Sequence, residues 1–391
     1  VLAMDTDMDG RGSLLSMKFL ADENLCWADI IPPFEARLRM EVAVLNFLRV
    51  LTSSDRPEIS DLPLVSKTFS NRQVNQGLLT DVSYISLSRS TSVRSLMKAS
   101  GRKAFVRVWK VMAICYNILG EKKRVTQREL FYKLLCDSPS LFPTQSEVNR
   151  SIQDVVALLR CSRFSLGIMA SSRGLVAGRL LLQAPNEETV DCSTSGASGH
   201  TISGDLNLLD KLTMKSNAHY IIVVEKHAIF QRLAEDGFFN SVPCILITAK
   251  GYPDLATRFL LHRMSREFPH MPILGIFDWN PCGLSILCTY KFGSVTMGLE
   301  SFRYACNVKW LGVRGNDVQL LPEESMAPLK PRDLQIAKSL MVSEFLPHSY
   351  REELAYMLRC ERRAEIEALY NHGYEYLGKY ISTKIVQANY I

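Results

Sequence analysis

The chain has 391 residues, with 46 Lys and Arg against 40 Asp and Glu and a net charge of +6. A hydrophobic fraction of 47% and a charged fraction of 22% describe a globular chain of two or three domains and exclude a wholly disordered one. The mild positive balance tolerates a polyanionic partner without demanding one. No apolar run approaches the ~18–20 residues that span a bilayer, so no membrane partner is expected.

The N-terminus carries no basic flank followed by an apolar stretch, so no secretory signal is expected; the first residue is Val1, so either Met4 is the start or the sequence is a fragment. The ten cysteines are scattered and none lies in a C-x-x-C pair, which argues against zinc. Several sit inside apolar runs, as Cys244 does, the pattern of reduced thiols in an intracellular protein.

Residues 1–25 are small, polar and acidic, and read as loose chain. Asp5-x-Asp7-x-Asp9-Gly10 resembles half of a calcium loop, but the twelfth position is Ser16 where a bidentate Glu belongs, so calcium binding is not expected. Residues 35–51 have a helical pattern. Residues 53–100 are polar and Ser-rich without a regular period, and part of them is expected to lack fixed structure. Together 1–100 form an N-terminal region, helical and partly disordered. Residues 103–119 predict an amphipathic helix.

From 124 to 182 the pattern tightens. Thr126-Gln127-Arg128-Glu129 is a capping box and should start a helix. Ser146 is the expected cap of a second helix, whose Val148, Ile152, Val155, Val156 and Leu159 share one stripe. Two apolar segments follow, 164–170 and 175–182, separated by Ser171-Ser172-Arg173-Gly174, which predicts a hairpin. Helix, helix, strand, loop, strand is the order of a winged-helix (CAP-like) domain, placed at 101–183, and such modules often grip DNA with the second helix. Arg102, Lys103, Lys122, Lys123, Arg124, Arg160, Arg163, Arg173 and Arg179 crowd into this quarter of the chain. Residues 183–216 are polar, with the small-residue run 193–199, and predict a linker or long loop.

Beyond it the texture changes. Runs at 220–224, 244–248 and 273–277 are continuously apolar and alternate with helical patterns at 227–239, 254–268 and 283–290; a further strand fits 308–313. This predicts a Rossmann-like parallel sheet covered on both faces, within a domain of 184–391 that ends in helices. The fold class is therefore α/β multidomain.

Ligands of such sheets gather outside the carboxyl ends of the strands. Two strands here run into Glu225 and Asp278. Two carboxylates converging there suit a hard divalent cation such as magnesium, which keeps water or phosphate on its remaining positions. In the helix after Thr126, Leu130, Phe131, Leu134 and Leu135 form the apolar stripe, and Tyr132 falls ~130° from its centre, pointing away from the core. Arg128 lies one turn earlier on the same face. A phenol is a weak nucleophile at neutral pH, and a neighbouring cation favours the phenolate and neutralises a phosphate oxygen.

At these residues a family resemblance enters. Arg128-Glu129-Leu130-Phe131-Tyr132 resembles the catalytic-tyrosine motif of topoisomerase VI A subunits and their eukaryotic relatives, the meiotic double-strand-break proteins. Val224-Glu225-Lys226, Gly251-Tyr252-Pro253-Asp254 and Asp278-x-Asn280-Pro281-x-Gly283 resemble that family's metal-binding Toprim domain, in the family's order. Residues 172–178 are similar to its wing, and Lys309-Trp310-Leu311-Gly312 and Glu365-Ile366-Glu367-Ala368-Leu369 also match. The likeness covers 103–391; 125–139 and 306–312 resemble the second of the plant meiotic paralogues.

The resemblance implies a type IIB topoisomerase-like enzyme of the ATP-dependent isomerase class. Tyr132 would attack a backbone phosphate of double-stranded DNA, stay on the 5′ end and release a 3′ hydroxyl. Magnesium would be held by Glu225, Asp278 and Asn280, and Arg160, Arg173 and Lys250 would contact DNA. The active site would be shared between two A-type subunits, in a homodimer or a heterodimer with a paralogue, beside a topoisomerase VI B-like subunit, in the nucleus. Asn280 stands where the family usually has Asp, so one ligand is uncharged. Two further readings remain at this point: a structural, DNA-gripping partner of an active paralogue, and the A-type component of a decatenating topoisomerase.

Overall fold

The computed structural model describes residues 27–52, 61–65, 72–76, 82–87, 91–96, 98–294 and 297–391. The calcium-loop-like segment and the loose stretch expected at 1–25 lie outside them. The chain divides into two compact units, one drawn from within 1–66, 89–124 and 131–167, the other from 67–88, 125–130 and 168–391.

In the first unit, helices Pro33–Thr52, Ala99–Gly120 and Gln145–Leu159 pack on one another. The second of these buries Phe105, Val108, Val111, Met112, Cys115 and Leu119, a 3.6-residue stripe that makes this helix one wall of the core. The third buries Val148, Ile152, Val155, Val156 and Leu159 as expected. Its N-cap is Thr144, two residues before the expected Ser146, with no side-chain capping bond. An antiparallel pair, Asp61–Val65 with Thr91–Ser95, lies against that helix, and buried Asp154 is held by Arg94 at 3.0 Å.

A second antiparallel pair, Arg72–Gln76 with Ser83–Leu87, belongs to the other unit. The stretch 53–100 therefore carries four strands where irregular chain was expected. Each is five residues long and pairs with a partner that shares no obvious period with it, so the pattern is set by tertiary packing.

The second unit is built on a six-stranded sheet. Its order is His200–Thr201, Leu175–Gly178, Cys244–Thr248, Tyr220–Val224, Ile273–Ile276, Val308–Gly312. The last four are mutually parallel, and their apolar residues are buried apart from the partly exposed Tyr220, as a sheet covered on both faces requires. Helices His227–Glu235, Leu255–Glu267 and Pro281–Phe292 are the crossovers. In sequence order the parallel strands run second, first, third, fourth, so the connection direction reverses between Tyr220–Val224 and Ile273–Ile276. That is a topological switch point.

Two expectations fail in this unit. Leu175–Gly178 does not return on 164–170 as a hairpin; it pairs antiparallel with Cys244–Thr248 inside the main sheet. The short strand Ile168–Met169 pairs instead with Val125–Thr126. An apolar strand flanked by a good turn has no local information that selects its partner. Residues 183–216 are not a linker either. They contain strands Thr189–Asp191, His200–Thr201 and Thr213–Lys215 and the helix Leu206–Lys211, and they bury Cys192, Ile202, Leu206, Leu209 and Met214. Elements of two to six residues leave no period to detect.

The far edge of the sheet is closed by a backbone pair: the Trp310 N–H donates to the Ile391 carbonyl at 2.7 Å, and the Ile391 N–H returns to the Trp310 carbonyl at 3.1 Å. The C-terminal part is mainly helical, as expected, with Pro331–Met341, His348–Cys360 and Tyr376–Val386, plus one small antiparallel pair, Met326–Pro328 with Arg362–Ala364. None of the nine cysteines among the described residues is in a disulfide. No described helix is long and apolar enough to cross a membrane.

Candidate metal centre and nucleophile

Glu225 and Asp278 follow the two strands that flank the switch point, so the topology delivers both acids to one place. The Asp278 N–H donates to Glu225 Oε2 at 2.9 Å, and the Glu225 N–H donates to the Ile276 carbonyl at 3.0 Å. Both side chains are buried. The Gly251 N–H donates to the Glu225 carbonyl at 2.8 Å, which folds the Lys250-Gly251 turn back onto the end of the first strand. Both turn residues have positive φ, 61° and 103°.

Asp278 is fixed from a second direction. Trp279 and Ala364 exchange backbone hydrogen bonds at 2.9 and 3.1 Å, and the Ile366 N–H donates to Asp278 Oδ1 at 2.8 Å. This brings the segment after strand Arg362–Ala364 onto the site. Asp278, Glu365 and Glu367 then offer carboxylate oxygens within 4.8 Å of one another. Lys226 Nζ lies among them, 3.1 Å from Asp278 Oδ1 and 2.5 Å from each of Glu365 Oε2 and Glu367 Oε2. Arg363 Nη1 holds Glu365 Oε1 at 3.0 Å.

The electrostatics follow from crowding and burial. Desolvation pushes the Glu225 carboxyl up to about 7. Desolvation, with the Glu225 charge beside it, pushes Asp278 up to about 8, even though Lys226 pulls the other way. Burial opposes the Lys226 ammonium, but Asp278, Glu365 and Glu367 outweigh it and hold its pKa above the lysine range. The Lys226 ammonium does not fully offset the burial of Glu225 and Asp278, so the pair still favours added positive charge. Hard oxygen donors short of a cation fit a divalent metal ion.

Asn280 takes a different place. Its side-chain oxygen accepts the Gly283 N–H at 2.7 Å and caps the helix Pro281–Phe292. A Cβ on Gly283 would stand 2.3 Å from the Asp278 carbonyl oxygen, so only glycine lets this helix begin against Asp278.

Tyr132 lies on the helix Gln127–Asp137, whose capping box is formed: the Glu129 N–H donates to Thr126 Oγ1 at 3.1 Å, and the Thr126 N–H donates to Glu129 Oε2 at 3.3 Å. Leu130 and Leu134 are buried, and Tyr132 is 53% exposed, its ring 5.3 Å from that of Phe131. Arg128 is exposed one turn earlier. Tyr132 and the acidic centre belong to different compact units.

Of the expected DNA contacts, Arg173 and Lys250 are brought together: Arg173 Nη2 donates to the Lys250 carbonyl at 3.4 Å, and Lys250 is exposed beside the Glu225 strand end. Arg160 turns back on its own helix, where its guanidinium donates to the Ala157 carbonyl. Lys226, Glu365 and Glu367 were not among the expected site residues. The Glu365-x-Glu367 spacing is visible in the sequence, but about 140 residues separate it from Lys226 and nothing local ties the two.

Comparison with known proteins accords with this geometry. The family model for the Toprim domain of the topoisomerase 6 A-subunit/Spo11 proteins matches residues 220–385, and the model "Type IIB DNA topoisomerase" matches 103–168. "Meiotic recombination protein SPO11-2" of Arabidopsis thaliana is 66% identical, covering 98% of this chain and 100% of its own length. Its counterpart from Oryza sativa subsp. japonica is 63% identical over the same shares. The A3 subunit of DNA topoisomerase 6 from Oryza sativa subsp. indica is 36% identical, covering 81% of this chain and 71% of the relative.

Proposed function

The chain belongs to the topoisomerase 6 A-subunit/Spo11 family, and on that footing we propose that it is the DNA-cleaving transesterase of meiotic recombination, with Tyr132 as nucleophile. The observation that carries the assignment is the 53% exposure of Tyr132 within the segment that resembles a type IIB topoisomerase. A tyrosine kept out of the core by helical phase is available to a bulky phosphodiester.

In the reaction the Tyr132 oxygen attacks a backbone phosphorus. A Tyr–O–P bond forms, the bond from phosphorus to the 3′ oxygen breaks, and that oxygen leaves as a 3′ hydroxyl. The 5′ end remains on the protein, so one phosphoester is exchanged for another and the break is reversible in principle. Arg128, one turn away on the same helix face, favours the phenolate and balances charge on the phosphate. Magnesium, when bound, would neutralise phosphate oxygens and the departing 3′ oxygen. Glu225 and Asp278 would hold it; the Asn280 oxygen that sequence suggested as a third ligand already serves the helix cap. Arg173 and Lys250, next to the Glu225 strand end, guide the DNA backbone.

Two A-type protomers cut the two strands, each lending its tyrosine to the other's acidic centre, with a B-type partner supplying any ATP-linked step; the site of action is the nucleus. The direct test is to isolate 5′ DNA ends covalently attached to this polypeptide from meiotic cells and map the modified residue. Attachment at Tyr132 is expected; attachment at another residue overturns the assignment. The capped state of Asn280 favours one second reading, in which this protomer's metal centre is dispensable within a mixed dimer. Glu225→Ala with Asp278→Ala would then leave break formation intact.

A further inference from the structure

Three carboxylates and one ammonium share a single point beside the centre proposed above. Lys226 Nζ has three protons to donate and three acceptors in range: Asp278 Oδ1, Glu365 Oε2 and Glu367 Oε2. Asp278 Oδ1 also receives the Ile366 N–H. Glu365 is engaged on both oxygens, by Lys226 and by Arg363 Nη1. These oxygens lie as close together as a metal ion needs, yet each is already paired with the Lys226 ammonium. Glu225 stands outside this set; its Oε2 receives the Asp278 N–H.

We infer that Lys226 is a positioning residue that acts as the resident cation of this domain. Its ammonium occupies the place where Asp278, Glu365 and Glu367 would otherwise hold a second divalent ion, so the chain binds one such ion, at Glu225 and Asp278, and not two. The inference rests on the metal reading of Glu225 and Asp278. A lysine suits the task because its ammonium is a compact point charge of about the reach of an ion. It is anchored by the N-cap position it holds on the helix His227–Glu235, directly after Glu225. Being covalently part of the chain, it keeps Glu365 and Glu367 against Asp278 whether or not metal is present.

The experiment counts Mn2+, a paramagnetic stand-in for magnesium, bound to the full-length chain by electron paramagnetic resonance and equilibrium dialysis. Wild type should bind one ion. Lys226→Met should bind two, with dipolar coupling between them, and Lys226→Arg should return to one. Two ions on wild type, or one on wild type and still only one on a folded Lys226→Met chain, overturns the inference. No ion on wild type but one on Lys226→Met supports the resident-cation role while overturning the metal reading of Glu225 and Asp278; no ion on either overturns both. Glu365→Gln with Glu367→Gln covers the case in which Lys226→Met does not fold. The single ion should then bind within about threefold of wild-type affinity, because those carboxylates serve Lys226. A loss beyond tenfold makes them metal ligands and overturns the inference.

Discussion

The Asp278 main-chain N–H donates to the Glu225 carboxylate at 2.9 Å, so the two acids of the proposed metal centre are locked to each other across neighbouring strands. Neither can move without disturbing the other's strand end. The centre is therefore rigid before any ion arrives, the condition under which binding loses least to reordering.

The burial of these two acids has a pH signature. Ordinary carboxyls in an unfolded chain titrate near ~4; Glu225 and Asp278 are pushed up to about 7 and about 8. Between those limits the folded chain holds protons that the unfolded chain has lost. Their contribution to stability is fully present below ~4 and is lost as pH rises through 7 to 8. Metal must displace the same protons, so Mg2+ or Mn2+ should bind more tightly at pH 8 than at pH 6, with proton release. Calorimetry in two buffers of different ionisation enthalpy measures that release; pH-independent binding without it would contradict the reading.

Tyr132→Phe should abolish covalent attachment to DNA and leave the fold intact. The hydroxyl sits on a 53% exposed side chain, and an exposed change away from caps or core shifts stability by about 0.5 kcal/mol or less. Thermal melting should match wild type while the 5′-linked product disappears. Residual product would transfer the role to another residue.

Gly283→Ala should damage the metal centre without touching a carboxylate. The added Cβ meets the Asp278 carbonyl oxygen at 2.3 Å, in a place closed by the Asp278 backbone. Relief requires Asp278 or the start of the helix to shift, at a cost of about 1–3 kcal/mol. The readout is a weaker Mn2+ affinity, at least tenfold, in a chain that still melts cooperatively. Unchanged affinity would show that the Asp278 backbone is softer than its hydrogen bonds suggest.

Lys250→Ala should weaken binding to duplex DNA evenly across sequences and lower the slope of log affinity against log salt by about 1. Its charge lies on the turn tied to the Glu225 carbonyl, beside Arg173. Arg160→Ala should leave that slope alone, since its guanidinium is engaged by the Ala157 carbonyl. Equal losses from the two variants would refute the distinction.

The parallel sheet was legible because its strands are continuously apolar, a pattern that only a doubly covered sheet produces. Glu225 and Asp278 were legible because they end such strands, and Tyr132 because helical phase expels it. Strand pairing was not legible. Leu175–Gly178 reads as one arm of a hairpin, and its pairing with Cys244–Thr248, distant in sequence, leaves no local signal. The short elements of 183–216 were hidden by their length. Lys226, Glu365 and Glu367 were hidden by separation, and the helix-capping bond of Asn280 by ambiguity: an asparagine before proline and glycine reads equally as a ligand and as a cap, and its oxygen accepts the Gly283 N–H here.

Trp310 and Ile391 satisfy each other's backbone at one border of the sheet, and the opposite border is a strand of two residues, His200–Thr201. A long open border is a template on which a second chain can lay down a strand of its own, the usual first step toward aggregates. Here one border is sealed and the other is too short to seed growth. Strand addition along this sheet is thereby disfavoured, which leaves side-chain surfaces as the better place for a partner to fit, and such surfaces can discriminate between partners in a way that uniform backbone pairing cannot.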